Sequence, residues 1–175
     1  MQLTDEYWMA KTIELAKQAE AEGEIPVAAI VVKDNQLIAS GYNQSIQLHD
    51  ASAHAEVLAV RKAGEVLQNY RLVDCTLYVS LEPCPMCAGL LVHSRIKRLV
   101  FAAHDLKTGA CGSVFNLVEN DKLNHQLELT SGILAEQASS QISDFFKRRR
   151  AEIKAHKQAQ KLQAEQIQLA QNKDS

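Results

Sequence analysis

Cys75-Thr76-Leu77-Tyr78-Val79-Ser80-Leu81-Glu82-Pro83-Cys84-Pro85-Met86-Cys87 decides how this 175-residue chain is to be read. Cys75 to Leu81 alternates apolar and polar positions, as a half-buried strand does. Pro83 suits the first turn of a helix, where its missing N–H is harmless, and that helix runs to about Ser94. Arg98 to Ala103 is apolar again and reads as a second strand. A strand–helix–strand unit of this kind places its strands parallel with a right-handed crossover.

On the N-terminal side, Thr4 caps a helix whose first turn carries Asp5 and Glu6. Met9, Ile13 and Ala16, widened by Leu15 and Ala19, form its apolar stripe, which ends before Gly23. Val27 to Lys33 and Leu37 to Tyr42 are β-rich runs joined by Asp34-Asn35, a pair suited to a tight hairpin turn. Ser52 is placed to cap a helix from about Ala53 to Leu67. On the C-terminal side, Gln126 to Thr130 reads as a short strand, and Ser131 as the cap of a long helix from about Ile133 through Lys154. The alternation of helices and strands indicates a layered α/β domain over residues 1–154. Residues 155–175, rich in Gln, Ala and Lys, have little to bury and read as a frayed or flexible polar tail.

Composition narrows the class of protein. Hydrophobic residues make up 46% and charged residues 23%, enough apolar content for a packed core and against disorder throughout. The longest apolar run, Val27 to Val32, falls far short of the ~18 residues of a membrane span. No basic region followed by an apolar stretch opens the chain, so a cytoplasmic protein away from membranes is expected. The net charge of -2 hides an asymmetry, because residues 1–145 carry -7 and residues 146–175 carry +5. A basic end on an acidic body suggests contact with a polyanion, or simply a solvated basic helix.

The chemistry rests on two short motifs, each at a helix start. Cys84 and Cys87, one turn apart, can aim two sulfurs at one ion, and His54 adds a nitrogen from a second helix. Three protein ligands leave one position of tetrahedral zinc open, which separates a catalytic site from a closed structural one. Glu56, two residues beyond His54, is suited to act as general base toward a water and to return the proton later. Taken singly, each piece has a plainer reading: a redox pair or core cysteines, a capping histidine, a solvated carboxylate. Taken together they point to zinc-dependent hydrolysis. The other two cysteines, Cys75 and Cys111, match no ligand position, and the first reads as core.

His-x-Glu followed by Pro-Cys-x-x-Cys resembles the signature of the zinc-dependent cytidine and deoxycytidylate deaminase superfamily. Within it, the chain is most similar to the bacterial tRNA-specific adenosine deaminases, from about Glu6 to Lys154. The stretches that carry the likeness are Asp5–Met9, Pro26-Val27, Thr76–Cys84, Asp105–Gly109 and Ser143–Phe146. The resemblance implies a three-layer α/β/α cytidine-deaminase-like fold with a mixed five-stranded sheet flanked by helices. It implies one zinc per chain on His54, Cys84 and Cys87, with Glu56 as proton shuttle. It further implies a homodimer that converts adenosine to inosine at the wobble position of a tRNA anticodon stem-loop, that of an arginine tRNA. Asn43 would hydrogen-bond the base, Asp105 the sugar, and Lys107 a phosphate. Phe146 beside Arg148, Arg149 and Arg150 fits single-stranded loop binding, where bases stack and phosphates are neutralised.

The sequence departs from that pattern in places. Ala28 stands where glycine is common, and His104 precedes Asp105 where arginine can occur. The competing functions are a deaminase of free cytosine or guanine, a zinc-stabilised RNA-binding module and a Cys-x-x-Cys oxidoreductase. Glu56 has no role in a purely structural site, and His54 and Glu56 have none in an oxidoreductase.

Overall fold

The computed structural model describes residues 3–171, and the side chains of its last helix as far as residue 168. Nine elements follow in chain order: α1 (Asp5–Ala21), β1 (Ala28–Lys33), β2 (Gln36–Tyr42), α2 (Ala55–Leu67), β3 (Thr76–Leu81), α3 (Pro85–His93), β4 (Arg98–Ala103), β5 (Glu128–Ser131) and α4 (Ala135–Gln171). Two compact units divide the chain, Met1–Ile142 and Ser143–Ser175.

In the first unit the strands form one mixed sheet in the order β2-β1-β3-β4-β5. β1 runs antiparallel to both β2 and β3, while β3, β4 and β5 are parallel. The strand–helix–strand unit β3-α3-β4 therefore has the expected parallel pairing. Strand alternation builds the two cores, since successive side chains point to opposite faces. Val31, Val79 and Phe101 join Val60 of α2 and Leu91 of α3 on one face. Ile30, Tyr78 and Val100 join Trp8, Met9 and Ile13 of α1 on the other. Helices thus cover both faces, and the fold is the three-layer α/β/α arrangement.

Asp34 and Asn35 make the β1–β2 turn with φ of 50° and 58°. Two left-handed residues in a row match the twist of the strands they join. Thr4 caps α1, its side chain accepting from the Tyr7 N–H. Elsewhere the boundaries differ from the expectations. Ser52 does not cap α2: its N–H and hydroxyl both donate to Asp50 Oδ1, each at 2.7 Å, and His54 is the N-cap. Pro83 lies outside α3, whose N-cap is Cys84 and whose first residue is Pro85. A proline does open the helix, but it is the second of the two. α4 begins after left-handed Gly132 and Leu134 rather than at Ile133.

The described part of the second unit is the remainder of α4. This helix continues past Lys154 to Gln171 with every described side chain from Phe146 to residue 168 exposed. Ala, Gln, Lys and Glu are strong helix formers, so the segment needs no buried face to hold its local shape.

Candidate active site and metal centre

Gly41 sets the position of α2. A Cβ there would lie 2.7 Å from both the Ala55 carbonyl oxygen and the Ala59 nitrogen, so the helix rests directly on the β2 backbone. Just past β2, Asn43 Oδ1 accepts from the Ala55 N–H at 2.9 Å. Asn43 thereby supplies the helix cap that the His54 side chain does not. With Oδ1 engaged, the amide Nδ2–H is the group Asn43 has to offer a ligand.

The N-terminus of α2 meets that of α3. His54 Nδ1 lies 3.6 Å from Cys84 Sγ and 3.6 Å from Cys87 Sγ. The three ligand atoms all fall within 4.8 Å of one another. Tetrahedral zinc, with bonds of roughly 2.3 Å to sulfur and 2.0–2.1 Å to nitrogen, requires a nitrogen–sulfur separation of about 3.5 Å. The donors already stand at that spacing, so this set fits zinc and leaves a fourth position for a non-protein ligand. With the protein's own groups alone, Cys84 is drawn down to about 4, chiefly by the Cys87 hydrogen bond, and by His54. The thiol of Cys87 is pushed up by its bond to Cys84 and by burial.

Glu56, in the first turn of α2, is 4% exposed. Burial raises its pKa to about 7, against the opposing pull of its own backbone N–H and of His54. A carboxyl poised near neutrality is suited to both accept and return a proton. Glu56, His54 and Cys84 line a cavity of about 170 Å³ together with Asn43, Asp105, Thr108, Glu82, Leu81, Val27 and Ile25. A larger groove of about 620 Å³ runs along α2 and the end of α3 past Tyr70 and His93, and contains none of these groups.

Two buried carboxylates hold the rim of the cavity, and neither is marked out by the sequence. Glu24 Oε1 accepts the N–H groups of Ile46 and Gln47, at 2.7 and 2.8 Å, fixing the loop between β2 and α2. Glu82 fixes the loop after β4. Its Oε1 accepts from the Cys111 and Ser113 N–H groups, each at 3.0 Å, and its Oε2 from the Asp105 N–H at 3.0 Å and from the Ser113 hydroxyl. Burial pushes the Glu82 pKa up, but these hydrogen bonds outweigh it and leave the net shift downward. A run of polar acceptors inside a sheet-end turn is the only sequence signal for such a role, and single glutamates do not announce it.

Asp105 is turned inward on its own loop. Its Oδ1 accepts from the Lys107 and Thr108 N–H groups at 2.9 and 3.1 Å, and its Oδ2 from the Thr108 hydroxyl at 2.5 Å. Lys107 is exposed on that loop. His104 Nδ1 faces Ser113 Oγ at 3.3 Å and Glu82 Oε2 at 3.4 Å. Ala28 is fully buried, its N–H donating to Ser80 Oγ, and lies outside the cavity lining. Cys75 and Cys111 are buried and free. Phe146, Arg148, Arg149 and Arg150 belong to the second unit.

Residues 2–103 match the family described as the cytidine and deoxycytidylate deaminase zinc-binding region. The tRNA-specific adenosine deaminase of Haemophilus influenzae is 54% identical over 154 residues, covering 87% of this chain and 89% of the relative. This chain belongs to the zinc-binding deaminase family, among its tRNA-specific adenosine deaminases. The deaminase is also 42% identical to the Bacillus subtilis tRNA-specific adenosine deaminase, over 86% of this chain and 94% of that one. A solved structure from work on A-to-I editing by tRNA deaminases superposes with a TM-score of 0.75 at 34% identity, covering 77% of the deaminase and 98% of the other chain. A guanine deaminase from Nitrosomonas europaea gives a TM-score of 0.72 at 27% identity, over 83% and 86% of the two chains. Among the described residues, no helix is long and apolar enough to cross a membrane.

Proposed function

We propose that this deaminase converts adenosine to inosine at the wobble position of a tRNA anticodon loop. The observation that carries the chemistry is the buried Glu56 lining one small cavity with His54 and Cys84, two members of a three-donor cluster that Cys87 completes. The 54% identity to a tRNA-specific adenosine deaminase supports the substrate. His54, Cys84 and Cys87 would hold one zinc, which when bound would supply the Lewis acidity that makes water nucleophilic near neutral pH. Glu56 takes one proton from the attacking water and delivers it to adenine N1; it then takes the remaining proton from the new C6 hydroxyl and gives it to the departing amine, which leaves as ammonia. Water's oxygen replaces the exocyclic nitrogen at C6, giving inosine. Asn43 Nδ2–H orients the purine edge.

The base must be turned out of its stack to enter so small a cavity, and an unpaired anticodon loop removes most of that cost. Lys107, Phe146 and Arg148–Arg150 are assigned to RNA contact as well, outside the base-binding cavity. Asp105 contributes by shaping its loop, with whatever acceptor capacity remains directed to the sugar. We further propose a cytoplasmic homodimer, an arginine tRNA as substrate, and a catalytic domain of residues 1–154 with 155–175 as an appended tail. The test is inosine formation in a stem-loop with adenosine at the wobble position, run beside free adenosine, cytosine and guanine. Release of ammonia from a free base, with the stem-loop inert, would transfer the assignment to the free-base deaminases.

A further inference from the structure

The second unit carries cations in a pattern that neither the cavity nor the metal centre uses. Lys147, Arg150, Lys154, Lys157 and Lys161 follow one another at intervals of three and four residues. At 100° per residue this spacing keeps all five within a sector of about 80° on α4. With a rise of 1.5 Å per residue, the ridge is about 21 Å long. Every one of the five residues is exposed.

Within the span of the ridge no acid lies on it, and Glu165 follows on the same face only beyond its end. Between Lys147 and Lys161 the sole acid is Glu152, which projects from the opposite side of the helix. There it pairs with Arg149 at 3.0 Å and Arg148 at 3.9 Å. The consecutive cluster Lys147-Arg148-Arg149-Arg150 is thus split by the helix, two cations toward Glu152 and two onto the ridge. At the far end Lys161 lies 3.9 Å from Glu165, an exposed pair that costs little to open. Ile153 and Phe146 border the ridge and are 50% and 39% exposed.

From this geometry we infer that the ridge is a binding surface for an RNA phosphate backbone, engaged in addition to the bases read at the cavity. The inference rests on the tRNA reading of the active site for the identity of the polyanion. A regular line of cations, without interspersed acids, neutralises phosphates but carries no sequence code. Lys157 and Lys161 lie past residue 154, so the polar tail lengthens the line of charge rather than merely trailing from the domain. An acidic protein surface is the alternative occupant, but the exposed apolar side chains, Ile153 and Phe146, lie at the border of the ridge rather than at its centre, where such an interface places its anchor.

The experiment compares the full-length chain with a Lys154→Gln, Lys157→Gln, Lys161→Gln triple variant and its Lys→Arg counterpart. Affinity for a tRNA transcript with wobble adenosine is measured against salt concentration, alongside inosine formation. The glutamine variant should lower the magnitude of the log–log salt slope by about 2–3, at ~0.7–0.9 per lost phosphate contact. Its KM should rise at least ~10-fold with kcat unchanged, and the arginine variant should restore both. An unchanged slope and KM would overturn the ridge. Failure of every form to make inosine, with the slope still falling, would sink the active-site reading and leave the ridge standing. Circular dichroism confirms that α4 stays helical, since glutamine is nearly as good a helix former as lysine.

Discussion

Gly109 packs against the Glu82 carboxylate with no room for a side chain. A Cβ at Gly109 would fall 2.4 Å from Glu82 Cδ and 2.5 Å from the Asp105 carbonyl oxygen. The loop can therefore close over the carboxylate only because residue 109 has no side chain. Gly109→Ala should push the loop off Glu82, destabilising the fold by about 1–3 kcal/mol as overpacking does. Thermal denaturation and inosine formation measured together check this, and wild-type values for both would refute the tether.

Glu82→Gln tests the same contact from the other side. An amide nitrogen would then face N–H and O–H donors that now meet a carboxylate oxygen. Leaving such donors unpaired costs about 1–3 kcal/mol, so the variant should melt earlier than wild type. Its zinc content should be unchanged, because Glu82 is no ligand. Zinc loss as large as that of a ligand mutant would contradict this division.

The metal centre makes its own demand. Cys84→Ser, Cys87→Ser and His54→Ala should each lose most of the one zinc per chain, and with it some stability, since a bound metal favours the folded state. Elemental analysis of purified protein is the measurement. Full retention in any of the three removes that residue from the ligand set.

Glu56→Ala should behave differently. Zinc and RNA binding should persist while turnover falls at least ~100-fold, the scale of general acid–base catalysis. Rapid mixing under single-turnover conditions separates the chemical step from binding. Near-normal turnover would eliminate Glu56 as the proton shuttle.

Far from the cavity, Asp5 accepts from Arg98 Nη1 at 2.9 Å and Nη2 at 2.7 Å, and from the Tyr78 hydroxyl at 2.8 Å. The Arg98 hydrogen bond, helped by Tyr78, holds the Asp5 carboxyl below its ordinary value of 3.8 despite partial burial. A lowered folded pKa contributes stability above the unfolded value, and that contribution is lost as pH falls through the folded one. Asp5→Asn should therefore be less stable than wild type at neutral pH, with the gap closing below about pH 4. Denaturant unfolding at several pH values reads the gap directly, and a constant difference across that range would exclude the ion pair as its source.

The sheet and the metal ligands are legible in the sequence because each has a local period. Alternation marks Thr76–Leu81 as a strand, though Leu77 to Ser80 are all buried rather than half of them, because helices cover both faces of the sheet. A three-residue interval aims Cys84 and Cys87 at one point. Helix starts are less accessible. Ser52 and Pro83 both satisfy the rules for a first turn, yet Asp50 occupies Ser52, and Asn43, distant in sequence, supplies the cap for α2. Glu24 and Glu82 are invisible for the same reason: their partners are backbone amides of loops brought near only by the folded sheet. Splitting of the Lys147–Arg150 cluster is, by contrast, written in the spacing and needs only the helix to be drawn.

Both rim loops are moored through main-chain N–H groups to carboxylates rooted outside them. Apart from Gly109 and the Ser113 hydroxyl, which the Glu82 mooring uses directly, such moorings do not depend on which side chains the loops display. The margin of the pocket can thus be rewritten residue by residue while its floor, with the metal donors and Glu56, stays still. One scaffold can in this way host deaminases of a loose purine and of a base presented by a folded RNA, the difference being written on the quay rather than in the harbour.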